Sequence, residues 1–506
     1  MGSTTVRRDR IAWIAIPLAL LAYHCATLSG YGIFRDELYY LACADHLDWG
    51  YVDHPPLSIL LLKVVRGILG DAVTAIRLPA AMAGVGMVLL TASMARALGA
   101  GPFGQRLAAL SAALFPVGIA LAGFYSMNAL DLVFWAACFR ILVAVLAGGD
   151  PRLWLAFGGL AGLGLQNKIS VLFLGAGVIA GLIAGGRGAL LRSRWPWFGG
   201  AFAVLLFLPH VVWQTANGWP TLEFMANARR YKMTGLDPGG FVSEQLLNAN
   251  PGALPVWLGA LAFLLVVRDA KAWRPLGWAW LAIAAMMLTT GAKPYYLAPA
   301  FPLLYAAGGV ACERWATRRW ARAAVFALVL AGCLPALPLT KAILPVESLA
   351  AYLQATGMMP ASGERHALGR LPQHFADQHG WRELAVTVAR VRDTLPVDDR
   401  DRVCVFGQNY GQAGAIDYFG RELGLPRAVS GHNSYWLWGP GACGGHVWIV
   451  IGDNRETLET IFESVDLGTT FECALCMPFE DHKAIWIARG LKQDPAALWR
   501  AVKTFI

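Results

Sequence analysis

Long apolar runs separated by short polar segments fill the first two thirds of this chain. A run of roughly 18 or more apolar residues predicts a helix that crosses a bilayer, and on that pattern we predict about eleven spans. Two stretches with very short connections, 107–147 and 153–186, are expected to contain broken or tilted helices. The predicted spans are roughly residues 11–29, 77–98, 107–125, 129–147, 153–166, 168–186, 197–214, 252–267, 275–291, 295–311 and 323–341.

The composition agrees with a polytopic membrane protein. Of the 506 residues, 57% are hydrophobic and 15% are charged, whereas soluble chains carry roughly 25% charged residues. The net charge of +9 does not indicate nucleic acid, because the basic residues concentrate in short loops between predicted spans, as the positive-inside rule describes. We expect membrane lipids, and no nucleic acid, among the partners.

The loop charges predict which side of the membrane each loop faces. The basic loops all fall on one side of the predicted topology, which should be the cytoplasm. The start of the chain is predicted to be a first span and not a cleaved signal peptide, because its apolar run is too long. An odd number of spans then places residues 345–506 outside. The basic residues are Arg7, Arg8, Arg10, Arg96, Arg106, Arg152, Arg187, Arg192, Arg194, Arg268, Lys271, Arg274, Arg314, Arg318, Arg319 and Arg322.

Three carboxylates stand close together in the first outer loop, residues 30–76. Asp36 and Glu37 precede a helical run, and Asp53 follows in the same loop. Acidic groups beside a bilayer are costly to desolvate, and a carboxylate in a partly dry cleft can serve as a general base. We therefore predict Asp36 and Glu37 as catalytic residues. The alternative is an acidic pair that the helix dipole favours at a helix N-terminus.

The loop segment Asp53-His54-Pro55-Pro56 is stiffened by its two prolines, which fix the backbone angle φ. A rigid loop supports a ligand-facing side chain, so Asp53 and His54 are predicted to bind substrate; the alternative is a simple turn. His54 would bind phosphate or a metal, or hydrogen-bond Asp53. A single histidine among scattered acids is a weak indication of a metal site.

Isolated charges mark the outer ends of later spans. A carboxylate at such a place, Asp131, is costly to desolvate and is predicted to bind substrate. Lys168 and Lys293 are lone bases on the side opposite to the other basic loops. Lysines at helix ends often snorkel to the interface, but these two are well placed to bind an anion such as phosphate. Arg229 and Arg230 add a basic cluster in the long outer loop, with a solvated helix face as the alternative.

Residues 345–506 have a mixed composition that predicts a small extracytoplasmic α/β domain. The segment 407–414 follows a predicted strand and precedes a helix, but its glycine spacing is not GxGxxG, which disfavours nucleotide binding. Residues 1–344 are predicted to be the transmembrane catalytic domain. The predicted strands are 402–406, 446–451 and 484–488, and the predicted helices are 381–391 and 456–464.

Cys473 and Cys476 form a lone CxxC pair in this domain. One such pair is a weak metal signal. On an extracytoplasmic domain a disulfide is favoured, with Cys443 as a further candidate partner.

Several motifs of the membrane half resemble a known family. They are Phe34-Arg-Asp-Glu-Leu-Tyr-Tyr40, Tyr51-Val-Asp-His-Pro-Pro56, Asn128-Ala-Leu-Asp131, Gln166-Asn-Lys168 and Lys293-Pro-Tyr-Tyr-Leu-Ala-Pro-Ala-Phe-Pro302. In this order they resemble family 39-like glycosyltransferases of the GT-C type, bacterial relatives of dolichyl-phosphate-mannose–protein mannosyltransferases. A more distant similarity connects the chain to lipid A aminoarabinose transferases.

The resemblance implies transfer of a sugar from a polyprenyl monophosphate to an acceptor outside the membrane. It implies that Asp36 is the base and Asp53 the second acid, and that the outer bases contact phosphate. Two positions depart from the aminoarabinose transferases, which have Arg where this chain has Tyr39 and Lys where it has His54. Donor binding should therefore be arranged differently. The motifs also supply the remaining predicted substrate-binding residues, Tyr40, Asn128, Tyr295 and Tyr296.

We therefore expect an inverting, mannosyltransferase-like membrane enzyme in the cell inner membrane, with its active site facing the periplasm. No cofactor is required by this reaction, although a divalent metal is compatible with it, and the acceptor is a lipid, glycan or protein hydroxyl. Two alternatives remain. One is a transporter or lipid flippase. The other is a non-catalytic polysaccharide-assembly partner that binds glycans through Tyr435, Trp436 and Trp438.

Overall fold

The computed structural model describes residues 2–358, 363–441, 443–444 and 446–506, with side chains from residue 14 onward. The side chains of Arg7, Arg8 and Arg10, on which part of the topology prediction rests, lie outside the described residues. The helices of the first half are α1 (Gly2–Ala26), α2 (Arg35–Asp45), α3 (Leu57–Leu69), α4 (Val73–Ala97), α5 (Pro102–Ala113), α6 (Pro116–Leu121), α7 (Met127–Leu146), α8 (Leu153–Asn167), α9 (Val171–Ala184), α10 (Arg194–Ala216), α11 (Pro220–Asn227) and α12 (Pro238–Asn248).

The second half combines helices with one sheet. Its helices are α13 (Leu254–Leu265), α14 (Arg274–Thr289), α15 (Phe301–Trp315), α16 (Arg319–Cys333), α17 (Leu337–Thr340), α18 (Val346–Thr356), α19 (Gln373–Ala376), α20 (Trp381–Asp393), α21 (Val397–Arg400), α22 (Tyr410–Phe419), α23 (Ser434–Trp438), α24 (Arg455–Ile461) and α25 (Pro495–Ala501). The strands are β1 (Val403–Gly407), β2 (Ala428–Val429), β3 (Val447–Ile451), β4 (Phe462–Phe471) and β5 (Lys483–Leu491).

The chain forms two compact units. The first consists of residues 1–28, 74–212 and 235–344, and the second of residues 29–73, 213–234 and 345–506. The second unit thus contains the predicted α/β domain and, in addition, most of the first outer loop, which we had assigned to the membrane domain. Each unit has its own buried core.

The first unit is all helical. In its core α13 and α5 pack against α15, α9 packs against α14, and α7 packs against α8. Small residues allow close approach: a Cβ atom added at Gly104 of α5 would lie 2.7 Å from the carbonyl oxygen of Gly309 in α15. Small residues at such crossings are typical of helices packed in membranes.

By length and composition, five helical segments among the described residues could cross a membrane: α4, α7, α10, Pro294–Trp315 and Arg319–Thr340. A sixth is obtained if the pair Pro251–Leu265 and Arg268–Thr289, bent by 90°, counts as one span. The predicted number of about eleven spans is therefore not confirmed. The predicted span 107–125 is interrupted between α5 and α6, because Pro116 lacks an amide hydrogen and disfavours helix at the residue before it.

The second unit contains a five-stranded sheet in the order β2-β1-β3-β5-β4. β2, β1 and β3 are parallel, and β5 and β4 are antiparallel to their neighbours. The predicted strands at 402–406, 446–451 and 484–488 correspond to β1, β3 and β5. Helix α22, which follows β1, packs against both α20 and α2, so that α2 belongs to the same packed unit as the sheet.

Candidate active site

Glu37 and Asp36 occupy the first turn of α2 but face different surroundings. Phe34 is the N-cap, and its amide N–H donates a hydrogen bond of 2.8 Å to Glu37 Oε2. Glu37 is buried, whereas 39% of the Asp36 side chain is exposed. Glu37 therefore has the capping geometry described by the alternative interpretation of this pair, and its predicted catalytic role stays a prediction.

Asp36 is held by a residue from the far end of the chain. The Tyr410 hydroxyl donates a hydrogen bond of 2.8 Å to Asp36 Oδ1. Tyr410 begins α22, where the Asn409 side chain accepts hydrogen bonds from the amide groups of Gly411 and Gln412, two and three residues further on. Tyr410 lies in segment 407–414, which was predicted to connect a strand to a helix. Nothing local in the sequence indicates that its tyrosine binds a carboxylate.

Asp53 has a similar partner. The Tyr39 hydroxyl donates to Asp53 Oδ1 at 2.9 Å and lies 2.7 Å from the Ser434 hydroxyl. Ser434 Oγ also accepts the amide N–H of Val52, at 3.1 Å. Burial raises the pKa of Asp53, with His54 and the Tyr39 hydrogen bond acting in the opposite direction. Asp53 is therefore a restrained carboxyl group held by a neutral donor.

His54 is packed beside this carboxyl group. Its ring stacks on Tyr40 at 4.8 Å, its Nδ1 lies 3.0 Å from the Pro55 carbonyl oxygen, and its Nε2 lies 3.9 Å from Asp53 Oδ1. His54 is buried. His54 was predicted to bind phosphate, to bind a metal or to hydrogen-bond Asp53. Its position beside Asp53 fits the third of these best, although 3.9 Å is longer than a hydrogen bond.

The two tyrosines form a stack. The rings of Tyr39 and Tyr410 lie 4.7 Å apart with an angle of 27° between their planes, and Tyr410 stacks on His432 at 4.8 Å. His432 Nδ1 accepts the Tyr410 amide N–H at 3.1 Å, while its Nε2 lies 3.0 Å from the Ile506 carbonyl oxygen. Burial lowers the pKa of His432 to about 3. The neutral ring thus accepts at one nitrogen and donates at the other.

Arg35 lies between Asp36 and a second acid. Its guanidinium group is 3.8 Å from Asp377 Oδ1 and 3.9 Å from Asp36 Oδ1, and it lies over the Tyr410 ring at 5.4 Å. Burial raises the pKa of Asp377 to about 7, although Arg35 acts to lower it. Neither Arg35 nor Asp377 was among the predicted site residues.

The remaining predicted residues of this unit are basic. Arg229 and Arg230 lie in the single π-helical turn Ala228–Lys232, and both are exposed. The Arg230 guanidinium group lies over the ring of Tyr231 at 5.1 Å. Their predicted role in binding phosphate stays a prediction.

The first unit brings together a different set of predicted residues. Lys168 Nζ donates to Asn128 Oδ1 at 2.7 Å, lies 4.0 Å from Asp131 Oδ2 and is 4.3 Å from the centre of the Tyr296 ring. Asp131 Oδ2 also accepts the Ser170 hydroxyl at 2.7 Å. Asp131 and Lys168 are both buried, so a buried acid and a buried base are close to each other here.

Lys293 and Tyr295 complete the predicted set. Lys293 precedes the 3₁₀ turn Pro294–Ala300, and the rings of Tyr295 and Tyr296 lie 4.7 Å apart. Lys293 and Tyr295 are half-buried. The predicted site residues thus divide into one group in each compact unit.

The cysteines of the α/β region form disulfides. A disulfide was favoured at the CxxC pair without a fixed partner; Cys473 pairs with Cys476, and Cys443 pairs with Cys404. Within the described ranges, no three or more His, Cys, Asp or Glu side chains are grouped as a metal site would require.

Comparisons with known proteins agree with a glycosyltransferase fold. Residues 53–213 match the family model described as dolichyl-phosphate-mannose-protein mannosyltransferase. No curated protein matches the chain significantly. Among solved structures, ArnT from Cupriavidus metallidurans in the apo state is similar over 96% of this chain and 98% of its own, with a TM-score of 0.63 at 14% identity.

Two further structures support the same conclusion. ArnT from the same organism bound to undecaprenyl phosphate has a TM-score of 0.61 at 12% identity, with the same coverage of both chains. The arabinofuranosyltransferase AftD from Mycobacteria has a TM-score of 0.50 at 16% identity, over 96% of this chain and 40% of its own. The chain therefore has the GT-C glycosyltransferase fold and is distantly similar to ArnT, which confirms the resemblance predicted from its motifs.

Proposed function

We propose that this GT-C fold is a membrane glycosyltransferase, which moves a sugar from a polyprenyl monophosphate to a hydroxyl acceptor outside the membrane. The observation that carries the proposal is Asp36, a carboxylate with 39% of its side chain exposed and Oδ1 held by the Tyr410 hydroxyl. A carboxylate that is fixed at one oxygen and open to solvent has the properties of a general base.

In the proposed reaction, the acceptor oxygen attacks the anomeric carbon while the bond from that carbon to the phosphate oxygen breaks. Asp36 takes the proton of the acceptor hydroxyl, and the polyprenyl phosphate leaves with the bonding electron pair. A single displacement of this kind inverts the anomeric configuration. General-base catalysis by a positioned group contributes roughly 10²–10⁴-fold.

Asp53 is proposed to bind a substrate hydroxyl. Tyr39 and the turn that contains Ser434 hold its carboxyl group, and its side chain is 18% exposed. A restrained acceptor of hydrogen bonds suits a sugar hydroxyl, and such contacts to fixed groups orient substrates for reaction.

The donor is proposed to be a sugar linked to undecaprenyl phosphate or a similar polyprenyl phosphate. This proposal is supported by the similar fold of ArnT, whose structure was determined with undecaprenyl phosphate. Basic residues would bind the phosphate, and the candidates are Lys168, Lys293, Arg229 and Arg230. We place the enzyme in the inner membrane, with the acceptor on the periplasmic side.

No nucleotide is needed, because the sugar arrives already activated by its lipid phosphate. A contribution from a divalent metal is tested directly. Turnover is measured after treatment with EDTA and again after addition of Mg²⁺ or Mn²⁺, and we expect turnover without added metal.

Release of free polyprenyl phosphate tests the proposed function. The purified full-length protein is offered a panel of polyprenyl-phosphate sugars with membrane extract as the acceptor, and wild type is compared with Asp36→Asn. We expect release from one donor by wild type and at least 100-fold slower release by the variant. No release from any donor by folded wild-type protein would contradict the proposal and favour a transporter or an assembly partner.

A further inference from the structure

Two tyrosines from distant parts of the chain hold the two candidate carboxylates of the second unit. Tyr410 binds Asp36 at 2.8 Å, and Tyr39 binds Asp53 at 2.9 Å. The two tyrosine rings are stacked at 4.7 Å. A shift of one ring would therefore displace the other tyrosine and, with it, the hydrogen bond to the other carboxylate. The two acids therefore share one aromatic support.

Tyr410 is itself fixed on several sides. Its ring lies nearly parallel to that of His432, at 4.8 Å and 5°, and its amide N–H donates to His432 Nδ1. The guanidinium group of Arg35 lies over the same ring. Tyr410 is buried, and its place at the start of α22, directly after the N-cap Asn409, fixes its backbone. Its hydroxyl consequently has one well-defined position.

We propose that Tyr410 is a positioning residue for Asp36 in glycosyl transfer. The inference rests on the proposed function, in which Asp36 accepts the proton of the acceptor hydroxyl. The hydrogen bond to Oδ1 fixes the rotation of the carboxylate, so that Oδ2 accepts the proton. Tyr410 does not exchange a proton in the reaction. Misplacement of a reacting group by about 1 Å costs on the order of 100-fold in rate.

Through Tyr410, the α/β region contributes a side chain to the catalytic apparatus. The first test compares Tyr410→Phe with Tyr418→Phe in the purified protein, with the donor that wild type uses. Tyr418 is a matched control, because it lies on the same helix, α22, and its hydroxyl donates to the Asp71 carbonyl oxygen at 2.7 Å in the same unit. Both variants keep the aromatic ring and lose one hydrogen bond from the tyrosine hydroxyl.

For Tyr410→Phe we expect kcat to fall about 10- to 100-fold, with KM for the donor unchanged. For Tyr418→Phe we expect kcat at the wild-type value. Equal kcat values for the two variants, with active wild type, would overturn the role of Tyr410 and leave the proposed function intact. Wild-type protein that uses no donor would contradict the proposed function itself.

The second test asks whether Tyr410 acts through Asp36. In the Asp36→Asn background, Tyr410→Phe should cause no further loss of turnover, because the group that it positions no longer accepts a proton. If the double variant loses turnover by the product of the two single-variant factors, Tyr410 acts independently of Asp36, and the proposal is overturned.

A third measurement does not depend on turnover. Asp36 is labelled with a water-soluble carbodiimide and an amine, and the labelled fraction is followed by mass spectrometry. We expect faster labelling of Asp36 in Tyr410→Phe than in wild type or Tyr418→Phe, because the carboxylate has lost its donor and its restraint. Equal labelling rates in the three proteins would show that the hydrogen bond is absent in solution and would overturn the proposal.

Discussion

The two compact units hold their carboxylates at different exposure. In the second unit, Asp36 and Asp53 accept hydrogen bonds from tyrosine hydroxyls, and both side chains are partly exposed. In the first unit, Asp131 accepts the Ser170 hydroxyl and has the Lys168 ammonium group 4.0 Å away, but only 1% of its side chain is exposed. Asp36 also has a cation nearby, Arg35 at 3.9 Å, so the acids of the two units differ chiefly in their access to a substrate.

This difference gives the predicted residues separate roles. Asp36 shares Arg35 with Asp377, but its exposed fraction leaves it accessible to a substrate. The charge of Lys168 is balanced by Asp131, and Asn128 accepts a hydrogen bond from its ammonium group, before any donor arrives. We therefore expect changes at Asp36 to affect turnover, and changes at Asp131 or Lys168 to affect the stability of the fold, with the proposed contact of Lys168 to the donor phosphate tested by the KM for the donor.

The largest expected effect is on turnover in the second unit. Asp36→Asn should lower kcat by roughly 10²–10⁴-fold, because the proton acceptor is lost while the shape of the side chain is kept. Asp131→Asn should keep turnover close to that of wild type. Both are measured as release of polyprenyl phosphate, with thermal unfolding as the control for folding. Losses of equal size in the two variants would break the comparison.

The next effect concerns stability of the first unit. Lys168→Met should lower the free energy of unfolding by about 3–5 kcal/mol, because it leaves the buried Asp131 carboxylate without its cation. Adding Asp131→Asn should recover much of that loss, since the uncompensated charge is then removed. Thermal unfolding of the two variants in the same detergent measures both steps.

The same pair of variants also tests the predicted contact between Lys168 and the donor phosphate. If Lys168 binds the donor, the stable double variant will have a raised KM for the donor. A double variant that keeps both the stability and the donor KM of wild type would assign Lys168 to the fold alone.

A smaller effect should depend on pH and involve Asp377. Because burial raises the pKa of Asp377 to about 7, the folded protein keeps a proton that the unfolded chain releases near pH 4. The contribution of protonated Asp377 to stability is complete below about pH 4. It is lost as the pH rises to about 7, and the free energy of unfolding falls by roughly 1.4 kcal/mol per pH unit in this range. Asp377→Asn does not titrate, so its unfolding temperature should rise relative to wild type between pH 5 and 7 and level off above that.

Asp71→Asn is the matched control for this measurement. The guanidinium group of Arg66, which donates hydrogen bonds to Asp71, lowers the pKa of this carboxyl group, so its contribution is complete above about pH 4 and is lost only at lower pH. Its difference from wild type should be constant between pH 5 and 8. A constant difference for Asp377→Asn as well would show that Asp377 is ionised throughout this range.

The sequence predicted the parts of this molecule that depend on local pattern. Apolar runs located β1 and β3, which are largely buried, and β5, most of whose residues are half-buried. The acidic loop located Asp36 and Asp53. The edge strand β4 was missed beyond the helix predicted at 456–464, because most of its residues are polar and exposed. The interruption at Pro116 had a local signal, since proline disfavours a continuous helix.

No local pattern in the sequence indicated which side chains hold Asp36 and Asp53. Tyr410 lies 374 residues from Asp36, and Ser434 lies 395 residues from Tyr39. No periodicity or spacing in a single sequence connects positions so far apart. The packing of α2 against α22 brings Tyr410 to Asp36, and the contact of Tyr39 with the start of α23 brings in Ser434. The segment that carries Tyr410 was predicted to connect a strand to a helix. The group that Tyr410 binds is not a nucleotide but the Asp36 carboxylate of the same chain.

The smallest effect sharpens the comparison within a single turn of α2. Glu37→Gln should lower the free energy of unfolding by less than about 1 kcal/mol, because Gln retains an oxygen that accepts the Phe34 amide N–H. Glu37→Ala removes that acceptor and should cost about 0.5–2 kcal/mol. If Glu37 only caps the helix, Glu37→Gln will release polyprenyl phosphate at the wild-type rate while Asp36→Asn will not. A folded Glu37→Gln that is as slow as Asp36→Asn would mean that both acids of the pair take part in the chemistry, as the acidic loop first predicted.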